Sequence, residues 1–346
     1  MKKALLTLLT FLISFSLLAA CSQKEKSPVT GPGKETPVLS PAPSSAMTPD
    51  LPSPAPAPTP DAIETAPADS SLITKEVFSA LSAPKLKGRV MGSTGSKKAR
   101  SIIQDLFADL HLKPFDEDYL SPVFRDPFRE TSAETAKKGD GYNIVGLLEG
   151  KKEKECLIIS AHYDGKEGGP SALDNASGVY GLLRIAEKMS EWSTSNTPAR
   201  DILFAAFDGE EAGLIGSSYM ADQIQKSYEK IIVINLDCIG IKKTDSYMVS
   251  GNSAQFAPLI DSLYKQLELY DFATVPAIET YGSDHLPFEW YCLPAVTIGE
   301  RDVEGIVHTP EDTAGIVNTA EIEHLAEAVY FYILEQSDKM FGAFWN

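Results

Sequence analysis

Five short aliphatic runs constrain this chain most: NIVGLLEG from Asn143, CLIISAH from Cys156, DILFAAFD from Asp201, IIVINLD from Ile231 and PAVTIG from Pro294. They are rich in Val, Ile and Leu without strict alternation, the pattern of parallel strands covered on both faces. Helix-period segments lie among them: SKKARSIIQDLFADL, ASGVYGLLRIAEKMSEW, SAQFAPLIDSLYKQLEL and TAEIEHLAEAVYFYILEQ. Strands alternating with helices predict an α/β fold, a mostly parallel sheet with helices on both faces. Residues 71–346 are long enough for one such domain with a deep core.

In that architecture, function gathers at the carboxyl ends of the strands. His162 and Asp164 follow the second run, Asp208, Glu210 and Glu211 the third, and Asp237 ends the fourth. Asp174 precedes a helix, and His308 follows the fifth run. Acidic and imidazole groups crowded at strand ends are costly unless a positive charge sits among them, so a metal site is expected. Taken singly, a histidine at a strand end is usually a structural residue, and a Glu pair is ordinarily solvated surface.

The region before residue 71 reads differently. Lys2 and Lys3 precede an uncharged apolar run, residues 4–20, that ends in small residues before Cys21. A positive start, a short apolar stretch and small residues describe a signal peptide over 1–20. The break resembles the lipobox of bacterial lipoproteins, which implies acylation of Cys21 and an exported, membrane-anchored protein of the cell envelope. An uncleaved signal anchor is the alternative, although the run is short for a bilayer span. Of the 23 prolines, 12 lie between Ser27 and Asp69, with LPSPAPAPTP at the centre. Residues 21–70 therefore read as a disordered Pro/Ala/Ser-rich linker with little to bury. The net charge of −17, with no basic patch, argues against nucleic acid as a partner. Export makes a disulfide possible among Cys156, Cys238 and Cys292, with at least one left free, but all three lie in or beside apolar runs and are expected to be buried free thiols.

Five blocks in order, SAHYDGKEGGPSALDNASG, FAAFDGEEAGLIGSSYM, INLDCIG, SDHLPF and HTPEDT, resemble the zinc aminopeptidases of the M28 type. The likeness runs from about Gly88 to the last helix. It implies two divalent metal ions, most simply Zn²⁺, with Co²⁺ or Mn²⁺ able to take the same ligands. By motif position, His162 and Asp237 would hold one metal, Glu211 and His308 the other, and Asp174 would bridge them. Glu210 would be the general base, and peptides with a free N-terminus the substrates. Such ligands suit zinc chemistry, and a neighbouring carboxylate can take the proton of an attacking water.

Further roles are read around these positions. Asp164 is placed to orient the His162 imidazole. Asp208 reads equally as a support of the Glu210 loop or as a turn residue before Gly209. Asp284 and His285 are expected to wall the pocket without acting as ligands, and Tyr281 to donate to a developing oxyanion. Cys238, if still in strand geometry, points to the core. The sequence carries no H-E-x-x-H helix and no G-x-S-x-G elbow. A glutaminyl cyclase resembles the same fold, but its family typically has aromatic residues after the Glu pair and a Trp before the last His, where this chain has Gly213-Leu214 and Val307. A carboxypeptidase or other amidohydrolase on the same metals, or an inactive peptide-binding domain, are the remaining readings.

Overall fold

The computed structural model describes residues 71–123, 141–242, 246–251, 253–275, 277 and 282–345. The chain divides into two units, Met1–Ser70 and Ser71–Asn346. The first unit, with Cys21 and the proline-rich segment, lies outside the described residues.

The described part begins with α1 (Lys75–Leu81), a 3-10 turn (Pro84–Arg89) and α2 (Thr94–Asp109). Short strands β1 (Lys113–Pro114) and β2 (Leu120–Val123) lead to β3 (Gly141–Leu148) and β4 (Lys152–His162). A wide helical turn (Ala172–Ser177) opens α3 (Gly178–Ser193), followed by β5 (Arg200–Phe207), α4 (Ile215–Ile224), β6 (Lys230–Leu236) and β7 (Tyr247–Ser250). Then come α5 (Ala257–Leu269), α6 (Leu286–Trp290), β8 (Ala295–Glu300) and α7 (Thr319–Trp345).

These strands make one eight-stranded sheet in the order β1-β3-β5-β4-β6-β8-β7, with β2 also paired to β3. The four central strands run parallel, β5 and β6 flanking β4 and β8 flanking β6. The outer strands run antiparallel. This corrects one expectation: the NIVGLLEG run is antiparallel to β5, Ile144 opposite Ala206 and Leu148 opposite Ile202. Its apolar composition reflects burial on both faces, which a strand inside a mixed sheet shares with a parallel one.

Alternation along the strands divides the core. Leu157, Ile159, Ile202, Phe204, Ile232 and Ile234 face a large cluster completed by α1, α2, α3, α5 and α7. Ile158, Leu203, Ala205, Ile231 and Val233 face a smaller one with Met220 and Ala221 of α4 and Phe288 of α6. Helix α2 shows how the sequence selects its face. The Ser93 hydroxyl caps its first turn by accepting from the Ser96 amide at 3.1 Å, and Ala99, Ile103 and Phe107, one helical turn apart, are all buried. No helix among the described residues is long and apolar enough to cross a membrane. Cys156 is a buried free thiol and Cys238 is buried, whereas Cys292, in the turn before β8, is exposed and is not one of the free thiols.

Candidate metal centre

Three of the four parallel strands end at one cleft. His162 is the last residue of β4, Asp208, Glu210 and Glu211 follow β5, and Asp237 follows β6. The chain reaches Asp174 by crossing from β4 to α3 through the wide turn. That crossing is tight: a Cβ on Gly178 would lie 2.4 Å from the Leu236 carbonyl oxygen, so only glycine lets α3 start against the end of β6. Asn175 fastens the junction. Its Nδ2 donates to the Leu236 carbonyl at 2.9 Å, and its Oδ1 accepts from the amides of Gly178 and Cys238.

The ligand-type atoms converge in two groups that share Asp174. In the first, His162 Nε2 lies 3.3 Å from Asp174 Oδ1 and 3.5 Å from Asp237 Oδ1. In the second, His308 Nε2 lies 3.0 Å from Asp174 Oδ2 and 3.1 Å from Glu211 Oε1. Within each group the donor atoms all fall inside 4.8 Å of one another, close enough to hold a metal ion. Asp174 thus turns one oxygen to each group. The first group is buried, while the His308 side chain is 41% exposed, so the second opens to solvent.

Supporting contacts hold each candidate ligand in its orientation. His162 Nδ1 is 3.1 Å from the Asp164 carbonyl oxygen and 3.5 Å from its carboxylate, which leaves Nε2 toward the cleft. The Asp164 carboxylate also accepts from the Glu210 and Glu211 amides, at 3.1 and 3.3 Å, and so ties β4 to the Glu pair. Ser283 donates to Asp237 Oδ2 at 2.6 Å and itself accepts from Asn235 Nδ2. Asp312 accepts from the Leu173 and Asp174 amides, at 2.6 and 3.1 Å, linking the loop that carries His308 to Asp174. Backbone conformations that L-residues rarely adopt cluster at these turns: Ser171, Leu214, Cys238 and His308 all have positive φ.

The charge balance tests whether a cation fits. Asp237 Oδ1 and Glu211 Oε1, the oxygens turned to the two histidines, are buried without a hydrogen-bond partner. Burial lifts the Glu210 carboxyl well above its usual range, with Asp284, Asp237 and Asp174 adding repulsion against the pull of His162. Glu211 is raised by burial and by Asp174. Burial opposes the charged form of His162, but Asp237, Asp164 and Asp174 hold its proton affinity well above the ordinary imidazole value. Burial opposes ionisation of Asp174 too, yet His162 and His308 keep it strongly depressed. Without a metal, protonated imidazoles are what this acidic cleft selects. The residues therefore fit two divalent cations, whose charge would replace those protons.

The other expected residues divide. Asp208 is fully buried, accepts from the Tyr163 hydroxyl at 2.8 Å and the Tyr142 amide at 3.1 Å, and is pushed up to about 8 by burial and by Asp164. Asp208 is therefore a buried anchor joining β3 and β4, not merely a turn residue. Asp284 is buried beside Glu210, pushed up to about 7 by burial, and belongs to neither ligand group. His285 is buried, bonds Thr297 through Nδ1 at 2.7 Å, and is drawn down to about 3 by burial. Cys238 is in the core as expected, but from a left-handed turn after β6 and not from strand geometry. Tyr281 lies outside the described residues.

Sequence reasoning passed over Asp312, Ser283, Lys166 and Arg89. Asp312 and Ser283 sit inside two of the recognised blocks, where attention to buried acceptors could have found them. Arg89 is completely buried beneath the cleft and donates to the carbonyls of Leu81, Tyr163, Pro170 and Ser171; no pattern around it marks that role.

An α/β sheet carrying two carboxylate–imidazole groups on one shared aspartate is the arrangement of a metallohydrolase scaffold. Residues 143–333 match the model of peptidase family M28, and the chain belongs to that family. It is 26% identical over 208 residues to aminopeptidase YwaD of Bacillus subtilis, an alignment covering 57% of this chain and 45% of that protein. The chain thus spans less than half the length of that curated relative. In fold, it is similar to a zinc aminopeptidase from Bacillus subtilis, with TM-score 0.59, 19% identity, and 76% of this chain and 95% of that one covered. It is equally similar to the glutaminyl cyclase of Porphyromonas gingivalis, with TM-score 0.60, 18% identity, and 76% and 98% covered.

Proposed function

We propose that this protein is a metal-dependent aminopeptidase that removes N-terminal residues from peptides. One observation carries the reading: the Asp174 carboxylate offers one oxygen to His162 and the other to His308, so two ligand groups share one bridge. His162 and Asp237 would hold one zinc ion, Glu211 and His308 the other, with Asp174 common to both. Bound there, the two ions supply Lewis-acid polarisation of the scissile carbonyl and lower the pKa of water. Asp164 orients His162 and fixes the backbone of the Glu pair. Glu210, adjacent to a ligand yet free of ligand duty, takes the proton of the attacking water and returns it to the leaving amine. Burial raises its proton affinity, the direction that favours accepting that proton.

The N-terminal segment carries a second part of the proposal: acylation at Cys21, with residues 21–70 as the spacer of an exported, membrane-anchored lipoprotein. Mass spectrometry of the mature N-terminal peptide would show a lipid-modified Cys21; an unmodified or uncleaved terminus would refute it.

The full chain, incubated with mixed peptides that include some beginning with Gln, tests the activity by mass spectrometry. Stepwise loss of N-terminal residues, stopped by a chelator, is expected. Loss of ammonia from the Gln peptides alone would make the protein a cyclase. Release of C-terminal residues would make it a carboxypeptidase, and no change with metal bound would remove the peptidase reading.

A further inference from the structure

The two halves of the cleft differ in a way that the metal chemistry does not use. The His162–Asp237 side is buried, whereas the His308–Glu211 side is open and carries an ammonium at its rim. Lys166 Nζ lies 3.0 Å from Glu211 Oε2 and 3.2 Å from His308 Nδ1, and its side chain is 45% exposed. This position is built into the backbone. Gly88, at φ +71°, approaches so closely that a Cβ there would lie 1.9 Å from the Lys166 carbonyl oxygen. Gly169, three residues on, packs against the Thr309 carbonyl of the loop that follows His308. The loop bearing Lys166 and the loop bearing His308 therefore form one wall.

We propose that Lys166 binds a carboxylate on the leaving-group side of the scissile bond, so that the enzyme prefers substrates with an anionic group next to the bond it cuts. This deepens the aminopeptidase reading above and rests on it. The free amine end of a substrate belongs in the closed, acidic half of the cleft. The remainder of the chain must exit through the open half, past His308 and Lys166. In a dipeptide, the α-carboxylate carbon follows the scissile nitrogen by two bonds, about 2.5 Å. That places it within a lysine's reach of the ligand group. Lys166 has three N–H donors, of which the Glu211 Oε2 contact uses one; a metal held by His308 would repel the ammonium from the imidazole and release the others. An incoming carboxylate supplies the anion those donors then lack. Two sources share this chemistry, the C-terminal carboxylate of a dipeptide and an acidic side chain on the residue after the scissile bond.

The test compares kcat/KM for a dipeptide and its C-terminal amide, and for amidated peptides with Glu or Gln after the scissile bond, on the full chain with saturating zinc. Each acid-to-neutral ratio cancels differences in the fraction of enzyme carrying metal. At least one pair is expected to favour the acid about 10-fold, the low end for a charge-assisted bond at a half-exposed site. Added salt should shrink that preference. Lys166→Met is expected to bring the ratio to near one, and Lys166→Arg to retain most of it. Calorimetric titration with an uncleavable dipeptide of D-residues and its amide should show the same contrast in affinity. If the peptides are not cleaved at all, the aminopeptidase reading itself fails, a result distinct from any failure of the ratio. Cleavage with ratios near one for both pairs would overturn the role of Lys166, as would a preference that survives in Lys166→Met.

Discussion

Replacing Glu210 with Gln changes one proton-accepting atom at nearly constant shape, and the structure sets the expected size of the loss. The backbone around it is held independently of its side chain, because the Glu210 and Glu211 amides donate to Asp164. Glu211, His308, Asp174, His162 and Asp237 are untouched, so metal content should remain at the wild-type level. General-base catalysis contributes about 10²- to 10⁴-fold, or about 2.7–5.4 kcal/mol at 1.36 kcal/mol per tenfold. The upper half of that range is expected here. Burial and the neighbouring acids raise the Glu210 proton affinity, the direction that strengthens a base. The assay is kcat on a chromogenic amino-acid anilide, beside elemental analysis of the same preparation. A fall in kcat of about 10³-fold or more, with metal retained, is the expected result. Activity within a few-fold of wild type, metal retained, would refute the role of Glu210.

Three further outcomes follow from the contacts around it. Ser283→Ala removes the donor to Asp237 Oδ2 and should weaken metal binding about 10- to 100-fold in a chelator competition, while leaving the fold intact by circular dichroism; unchanged affinity would show that Ser283 does not orient Asp237. Gly88→Ala forces a Cβ into the Lys166 carbonyl at positive φ and should cost about 2 kcal/mol or more in denaturant unfolding; an unchanged midpoint would contradict the close approach. His162 and His308 both hold their protons above the usual imidazole value in the metal-free protein, His308 chiefly through Asp174. Metal binding needs them neutral, so the sign is that acidification through those raised values releases metal. Equilibrium dialysis across a pH series should show zinc affinity falling as the pH is lowered, and an affinity that does not change with pH would contradict it.

How much of this was legible in the sequence depended on the range of the interaction. The β4, β5, β6 and β8 runs are identifiable because burial on both faces demands long apolar stretches, and the polar residues that follow them stand out. The direction of β3 is not legible, since an antiparallel strand inside a mixed sheet buries the same two faces. The short α4, α6 and β7 escape a reading of period, being too brief or too uniformly buried to show one: Tyr247–Ser250 is buried throughout. The candidate ligands are visible as chemistry in ordered motifs. Of their supports, Asp164 is legible two residues beyond His162, whereas the roles of Asp312, Ser283 and Arg89 are not, because they act on backbone amides, on the Asp237 carboxylate and on carbonyls that only the folded chain brings near. Lys166 stood inside a quoted motif without a role, since nothing local distinguishes it from a solvated lysine until His308, 142 residues later, arrives beside it.

The most direct test of the shared-aspartate centre is a metal count. The full-length protein, equilibrated with zinc and freed of excess by gel filtration, should carry two ions per chain by elemental analysis. Asp174→Ala, which removes the carboxylate common to both groups, should carry fewer than one. One ion or none in the wild type, or two retained without Asp174, would contradict the account.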